Sequence, residues 1–238
     1  MIRLFGKNQV LERLKTHPKT IKKIICRQSS ENSYIKKLAS EFNVPFVILA
    51  DNEFALLINN VNDQGVIAQI NDFQYGDLQD ILQLPNEEKL TLIALSNLTD
   101  PQNMGSILRT AACFGKFSLI IPKHRSVSIT ETVLKVACGG ENYIPVIQVT
   151  NLIPVIKQAK DAGYWVAGTV IEEGENITGF KFQFPLCLVI GSEDKGIRQG
   201  LMSHLDFKVT LPMPGASLSL NAAVATAIFC YEVTRQRR

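Results

Sequence analysis

The sequence predicts an α/β protein, in which a small N-terminal α/β domain precedes a larger domain with a doubly wound parallel sheet. Apolar runs of five or six residues alternate with segments of helical periodicity, as in a parallel sheet covered by helices on both faces. This alternation fades within residues 72–88, where proline and acidic residues accumulate, and resumes at residue 89. The 238 residues suffice for one large or two modest domains.

Residues 1–71 form the first predicted domain, because short amphipathic segments alternate there with short apolar runs. Helices are predicted over residues 8–15, 33–42 and 52–59. Strands are predicted over residues 22–26, 45–50 and 65–70. Residues 72–88 are predicted to be the linker, with one possible helical turn near Leu78.

Residues 89–238 form the second predicted domain, in which the strands are near-continuous apolar runs and each is followed by a helix. Strands are predicted over residues 90–95, 117–121, 144–149, 164–169, 186–190 and 207–211. Helices are predicted over residues 103–114, 130–137, 152–162, 197–204 and 219–235. No internal repeat or low-complexity tract interrupts this order.

Composition narrows the class of protein. No apolar run reaches the roughly 18 residues of a membrane span, so no membrane partner is expected. The N-terminus lacks the pattern of a signal peptide, which favours a cytoplasmic location. The five cysteines are widely spaced and form no CxxC pair, so reduced core thiols are expected rather than disulfides or a zinc site. The three histidines form no HxxxH pair, and no metal is expected.

Charge is distributed unevenly along the chain. Residues 1–40 contain ten Lys/Arg and two Asp/Glu, whereas residues 41–88 contain nine Asp/Glu and no Lys/Arg. A basic N-terminal domain is typical of proteins that contact a phosphate backbone, although a solvated helix face is the other interpretation. The net charge of +3 does not favour indiscriminate nucleic-acid binding.

Three segments that follow predicted strands carry glycine, proline and polar residues. They read NLTDPQNMGSILRTA at 97–111, GSEDKG at 191–196 and PMPGASLSLN at 212–221. Ligands of open α/β sheets bind beyond the carboxyl ends of the strands, so these segments are the candidate site. The GxGxxG and GxxxxGK[ST] fingerprints are both absent.

The residues alone leave the roles of these segments open. Arg109 lies in an otherwise apolar stretch, which predicts a partly buried guanidinium bound to a ligand or held in a core salt bridge. Asn103 is expected to cap one helix, and Ser217 or Ser219 another. Asn221 would then be a polar residue in an apolar helix start and would need a partner. The ordinary alternatives are a core salt bridge for Arg109, a plain β–α turn for residues 191–196 and a capped helix for residues 212–221.

Taken together, in this order and spacing, the segments resemble the signature motifs of the SpoU branch of the SPOUT RNA methyltransferases. Those motifs are Asp-Pro-x-Asn-x-Gly-x-x-x-Arg-Thr, Gly-x-Glu-x-x-Gly and Pro-Met-x-Gly…Ser-Leu-Asn. The resemblance covers the whole chain and implies a SPOUT-type α/β fold with a C-terminal deep trefoil knot in residues 89–238. It further implies that residues 1–71 are an RNA substrate-binding domain similar to ribosomal protein L30e. Residues 123–126 and 136–139 look most like the bacterial 23S ribosomal RNA guanosine 2′-O-methyltransferase.

The resemblance implies S-adenosylmethionine as cofactor, no metal, structured RNA as substrate and a homodimer. An arginine of one subunit would serve the cofactor site of the other. The implied catalytic residues are Arg109, Asn103, Glu193 and Asn221. The implied cofactor contacts are Thr169, Gly191, Leu211, Met213, Ser219 and Leu220. The expected RNA contacts in the basic domain are Arg3, Lys7, Arg13, Lys22, Lys23 and Arg27.

Four positions depart from the family pattern. Ser96 stands where an acidic residue usually precedes the first motif, and Ala223 where a second serine usually follows Asn221. Asp63 stands where histidine is often found, and Asn142 replaces a frequent glutamate. These departures affect the expected identity of the target nucleotide more than the expected methyl-transfer reaction.

The leading interpretation is that the protein uses S-adenosylmethionine to methylate the ribose 2′-hydroxyl of a guanosine in 23S ribosomal RNA. A transfer RNA 2′-O-methyltransferase is the nearest alternative. A non-catalytic RNA-binding or ribosome-assembly factor on the same fold is an alternative of another class. A small-molecule-binding α/β protein is disfavoured by the charge of residues 1–40.

Overall fold

The computed structural model describes residues 2–30, 32–58, 63–192, 196–216 and 218–237, which form two sheets with flanking helices. The strands are β1 (Ile2–Phe5), β2 (Ile21–Arg27), β3 (Phe46–Leu49), β4 (Val66–Ile70), β5 (Thr91–Leu95), β6 (Phe117–Pro122), β7 (Val146–Val149), β8 (Trp165–Val170), β9 (Glu175–Asn176), β10 (Leu186–Ile190) and β11 (Phe207–Thr210). The helices are α1 (Lys7–Thr16), α2 (Ser33–Glu41), α3 (Asp51–Ala55), α4 (Leu78–Leu82), α5 (Pro101–Phe114), α6 (Glu131–Ala137), α7 (Leu152–Asp161), α8 (Gln199–Met202) and α9 (Ala222–Gln236).

The first sheet has the strand order β1-β4-β2-β3. β4 is antiparallel to both of its neighbours, and β2 and β3 are parallel. One face of this sheet buries Leu4, Ile24 and Ala68 in the main core of the protein. The other face forms a small separate cluster around Phe54 of α3. The residues up to Ile70 therefore make a mixed α/β unit with helices on both sides of the sheet.

The second sheet has the order β7-β6-β5-β10-β8-β11-β9, and every pairing in it is parallel. All five residues of β5 and of β10 are buried, because helices cover both faces of the central strands. The sheet is the predicted doubly wound type, and the strand order brings the ends of β8, β10 and β11 together at one edge. The trefoil knot stays a prediction.

The segment between the sheets is packed on the second sheet. Gly76 forms a parallel bridge with Ile147 of β7, and Asp77 caps α4 by accepting a hydrogen bond from the Gln79 amide. Ile81 and Leu82 of α4 are buried in the core under β7. The predicted linker thus has a fixed path across the sheet edge.

A buried ion pair joins the two halves of the chain. Arg13 of α1 lies with its Nη2 3.3 Å from Oε1 of Glu141, and their side chains are 9% and 0% exposed. Burial raises the pKa of Glu141 and lowers that of Arg13, in each case against the attraction of the partner charge. Beside this pair, the Tyr143 hydroxyl donates to the carboxylate of Glu12. The first domain is therefore anchored on the turn that follows α6.

Several predicted details were wrong. Asp100, not Asn103, caps α5, and its side chain accepts a hydrogen bond from the Gln102 amide. Asn221 caps α9, so that helix begins at Ala222 instead of at residue 219. Of the two serines predicted to cap it, Ser219 does not, and Ser217 lies outside the described residues. β1 and the two-residue β9 were not predicted, and α8 is shorter than expected.

The cysteines are free, as expected, but they are not all in the core. Cys26, Cys187 and Cys230 are buried, whereas Cys113 is exposed on α5. Burial raises the pKa of the Cys187 and Cys230 thiols to about 12, so both stay protonated and unreactive at neutral pH. Within the described parts of the chain, no helix has the length and apolar character needed to cross a membrane.

Candidate active site

A cavity of about 330 Å³ lies at the carboxyl ends of β8, β10 and β11. Its size is within the roughly 300–1,000 Å³ of ordinary small-molecule sites. The six residues predicted to contact the cofactor all line it: Thr169, Gly191, Leu211, Met213, Ser219 and Leu220. Further lining residues that the sequence did not single out include Ile197, Met202, Ala222 and Phe229. Three separate parts of the chain therefore converge on one cavity.

The loop after β10 closes one wall of this cavity through backbone contacts. Ser192 and Gly196 exchange two backbone hydrogen bonds, of 3.0 and 2.9 Å. A Cβ added at Gly191 would lie 2.4 Å from the carbonyl carbon of Gly196, so only glycine allows the two arms of the loop to approach this closely. Gly196 itself has φ 60°, a left-handed conformation that also favours glycine.

The lining of the cavity suits a ligand that is partly apolar and partly polar. Leu211, Met213 and Leu220 supply apolar surface for a flat ring, while Thr169 and Ser219 supply hydroxyl groups. This combination fits the adenine, ribose and amino-acid parts of S-adenosylmethionine.

Two of the predicted catalytic residues meet at the edge of the cavity. The Asn221 Nδ2 donates to Oδ1 of Asn103 at 2.8 Å, and its own Oδ1 accepts from the amides of Ala223 and Val224 at the start of α9. Asn103 is only 5% exposed. The starts of α5 and α9 are thereby fixed to one another, next to the cavity-lining Leu220 and Ala222.

Arg109 does not join this pair within one subunit. It lies six residues beyond Asn103 on α5, which is about 9 Å along the helix axis. The side chain is exposed, contrary to the predicted partial burial, and it makes no hydrogen bond or ion pair with the described residues. Glu193, the fourth predicted catalytic residue, lies outside the described residues.

The expected RNA-binding residues have different surroundings. Arg13 is buried in the ion pair with Glu141. It is therefore not part of the exposed basic surface, and its predicted contact with RNA was wrong. Arg3 pairs with Glu131 at 3.3 Å and donates to the Leu57 carbonyl.

The other four basic residues remain nearer to the surface. Arg27 lies 3.6 Å from Asp63, with its guanidinium over the ring of Phe54. Lys22 is exposed, and Lys7 and Lys23 are half-buried.

Sequence reasoning missed one charged residue that matters for the fold near the site. Glu141 holds the two domains together, yet no local signal identifies it, because its partner Arg13 is 128 residues away. Metal ligands are not clustered: the described residues contain no group of three or more His, Cys, Asp or Glu side chains.

Comparison with known proteins assigns the family. The model of the SpoU rRNA methylase family matches residues 89–231, which is more than half of the chain. The chain belongs to this family. A second model, described as RNA 2′-O ribose methyltransferase substrate binding, matches residues 3–76. The protein is accordingly an RNA methyltransferase, and S-adenosylmethionine is its methyl donor.

Relatives of this SpoU protein match it over nearly its full length. The chain is 35% identical to YacO of Bacillus subtilis, assigned to the TrmH family of tRNA/rRNA methyltransferases, over 98% of this chain and 95% of that one. It is 35% identical to the 23S rRNA (guanosine-2′-O-)-methyltransferase RlmB of Pseudomonas putida, over 99% and 97%. Its fold is similar to that of the SpoU methyltransferase AviRb from Streptomyces viridochromogenes, with a TM-score of 0.82, 23% identity and coverage of 99% and 90%.

Proposed function

We propose that this protein methylates the ribose 2′-hydroxyl of a guanosine in 23S ribosomal RNA and works as a homodimer. The observation that carries the proposal is the convergence of six residues, from the end of β8, the loop after β10 and the segment after β11, on one cavity beside the Asn103–Asn221 pair. The relative named as a 23S rRNA guanosine methyltransferase supports the choice of substrate. The basic N-terminal domain supports a structured RNA partner.

In the proposed mechanism, Arg109 acts on the substrate oxygen. A hydroxyl must lose its proton to become a strong nucleophile, and a guanidinium beside it stabilises the negative charge that develops. Arg109 is not the base, because an arginine keeps its proton at any working pH, and the hydroxyl proton passes to a phosphate oxygen of the bound RNA. When bound, S-adenosylmethionine supplies the activated methyl group. Asn221 and Glu193 orient the ribose and Arg109, and positioning of the two reactants provides a large part of the rate.

The exposed faces of α5 and α9 support a dimer in which Arg109 serves the neighbouring subunit. α9 packs along α5 and exposes Val224, Ile228 and Tyr231, which are spaced four and three residues apart and share one face. Tyr231 is 58% exposed. An apolar stripe of this kind fits a self-complementary two-fold interface, and the exposed Arg109 lies on α5, the helix against which α9 packs.

A mixed dimer tests both the interface and the role of Arg109. One subunit carries Arg109→Ala and the other carries Gly191→Val, which blocks the loop of the cofactor cavity. The two chains are co-expressed with different tags and purified in sequence, so that only mixed dimers remain. Each homodimer is expected to be inactive, whereas the mixed dimer recovers about half of the wild-type activity, since one of its two composite sites is intact.

The result that would overturn the proposed arrangement is an inactive mixed dimer, with both variants folded by circular dichroism. A protein that stays monomeric, by analytical ultracentrifugation, would overturn it as well. Activity on transfer RNA rather than 23S RNA would keep the mechanism and replace the substrate.

A further inference from the structure

A second cavity, of about 540 Å³, lies at the carboxyl ends of β5, β6 and β7. It adjoins the cofactor cavity, because residues from one short segment line both of them. Ile197 and Met202 line the cofactor cavity, whereas Arg198 and Leu201 line the second one. The two cavities therefore lie on either side of this segment, and we call the second one the β5–β7 cavity.

The charged side chains of the β5–β7 cavity are all basic. Among the described residues that line it, the ionisable ones are His124, Arg125 and Arg198, and no carboxylate is present. All three side chains are exposed, and none forms an ion pair with a described carboxylate. Two such guanidinium groups at one concave site favour an anion, and their planar donors match the oxygens of a phosphate.

A buried hydroxyl also lacks a partner there. Ser96 is 2% exposed and lines the cavity, and its Oγ has no hydrogen-bond partner among the described residues. A buried polar group without a partner is costly, so a ligand oxygen in the cavity would stabilise it. The described residues that line the cavity include no carboxylate that would repel an anion.

The loop that carries His124 and Arg125 is hydrogen-bonded to the first motif, the segment of residues 97–111. The Val127 amide and the Ser126 hydroxyl both donate to the Leu98 carbonyl, at 2.8 and 3.0 Å. Arg125 has φ 58°, a left-handed conformation that these contacts stabilise. Leu98 lies two residues before Asp100, the cap of the helix that carries Asn103. An anion bound in the cavity is therefore placed at a fixed distance from the reaction centre.

We propose that the β5–β7 cavity binds a phosphodiester group of the RNA strand next to the target nucleotide, through Arg125, Arg198 and Ser96. The inference deepens the proposed function and rests on it. Phosphate contacts of this kind fix the register of a strand without reading its sequence. The cavity would thus determine which ribose of a bound strand is presented to the cofactor.

The test measures RNA binding by fluorescence anisotropy over a range of salt concentrations for Arg125→Ala, Arg198→Ala and the double variant. Each single variant is expected to lose roughly tenfold or more in RNA affinity. The slope of log K against log salt is negative, and its magnitude should decrease by about 0.7–0.9 for each lost phosphate contact. The control is Lys157→Ala, which removes an exposed charge from α7 outside the cavity and should change affinity little.

Two further measurements distinguish a phosphodiester contact from damage to the cofactor cavity and from a free-nucleotide site. Affinity for S-adenosylmethionine, by calorimetry, should be unchanged in all the variants. Millimolar inorganic phosphate or guanosine monophosphate should not displace the RNA; displacement of RNA from the wild type but not from the double variant would indicate a free-nucleotide site instead.

The inference is overturned if both arginine variants keep the affinity and salt slope of the Lys157→Ala control. That outcome is distinct from failure of the proposed function, which is judged by ribose methylation with the wild-type protein. A wild type that methylates ribose, with arginine variants that bind RNA normally, would refute only the role of the β5–β7 cavity.

Discussion

Replacing Gly191 with alanine tests how closely the loop after β10 must fold over the cofactor cavity. A Cβ at this position lies 2.4 Å from the Gly196 carbonyl carbon, and 2.7 Å from both the Gly196 Cα and the Ile197 nitrogen. Carbon atoms in contact prefer about 3.5–4.0 Å, so the overlap is about 1 Å. The atoms it meets are backbone atoms, which cannot rotate away as a flexible side chain can.

Overpacking of this kind costs about 1–3 kcal/mol. The loop can open in the free protein to relieve the overlap, but it must close again around the cofactor. We therefore expect the cost to fall on binding, with a loss of roughly 5- to 150-fold in affinity for S-adenosylmethionine and little loss of thermal stability.

Isothermal titration calorimetry with S-adenosylmethionine measures the affinity, and thermal melting checks the fold. Gly179→Ala is the matched control, because it makes the same chemical change where a Cβ meets nothing within 4 Å. Wild-type affinity in Gly191→Ala would refute the role assigned to the loop. A large loss of S-adenosylmethionine affinity in Gly179→Ala would show that the loss in Gly191→Ala does not arise from the contact with Gly196.

Three further predictions concern the interdomain pair and the cap of α9. Arg13→Met leaves Glu141 buried without its partner, so the free energy of unfolding should fall by about 3–5 kcal/mol in urea titrations; an unchanged midpoint would contradict this. Because burial raises the pKa of Glu141, the folded protein binds its proton more tightly than the unfolded chain. The free energy of unfolding contributed by Glu141 should therefore decrease as pH rises from the ordinary carboxyl pKa through the raised one, and Glu141→Gln should abolish this contribution. Asn221→Ala removes the cap of α9 and the bond to Asn103, so it should cost about 0.5–2 kcal/mol of stability and should also slow methyl transfer; full activity would argue against its orienting role.

Most of the second domain could be predicted from the sequence because its strands carry strong local signals. β10 was predicted to the residue, since all of its side chains are apolar and glycine follows directly. β1 was missed because it is four residues long and carries an arginine between its apolar residues. β9 has only two residues, both polar, and its pairing with β11 depends on the rest of the sheet.

The residues that line the cofactor cavity could be predicted from the sequence motifs. Caps, exposure and ion pairs that depend on residues distant in the sequence could not. The cap of α5 was misassigned because both Asp100 and Asn103 have capping side chains, and Pro101 at the first helical position marks Asp100 as the cap. Arg109 is exposed because it lies away from the buried face of α5. The apolar residues on either side of Arg109 in the sequence did not reveal which face that would be. The partnership of Arg13 with Glu141 depends on how the two domains dock.

Locating the methyl group that the enzyme transfers tests the proposed function most directly. The protein is incubated with isotopically labelled S-adenosylmethionine and either undermethylated 23S ribosomal RNA or transfer RNA, and the RNA is digested to nucleosides for mass spectrometry. We expect the label in 2′-O-methylguanosine from 23S RNA, and its loss with Arg109→Ala although that variant remains folded and binds the cofactor. A label on a base, or labelling that Arg109→Ala leaves unchanged, would contradict the account.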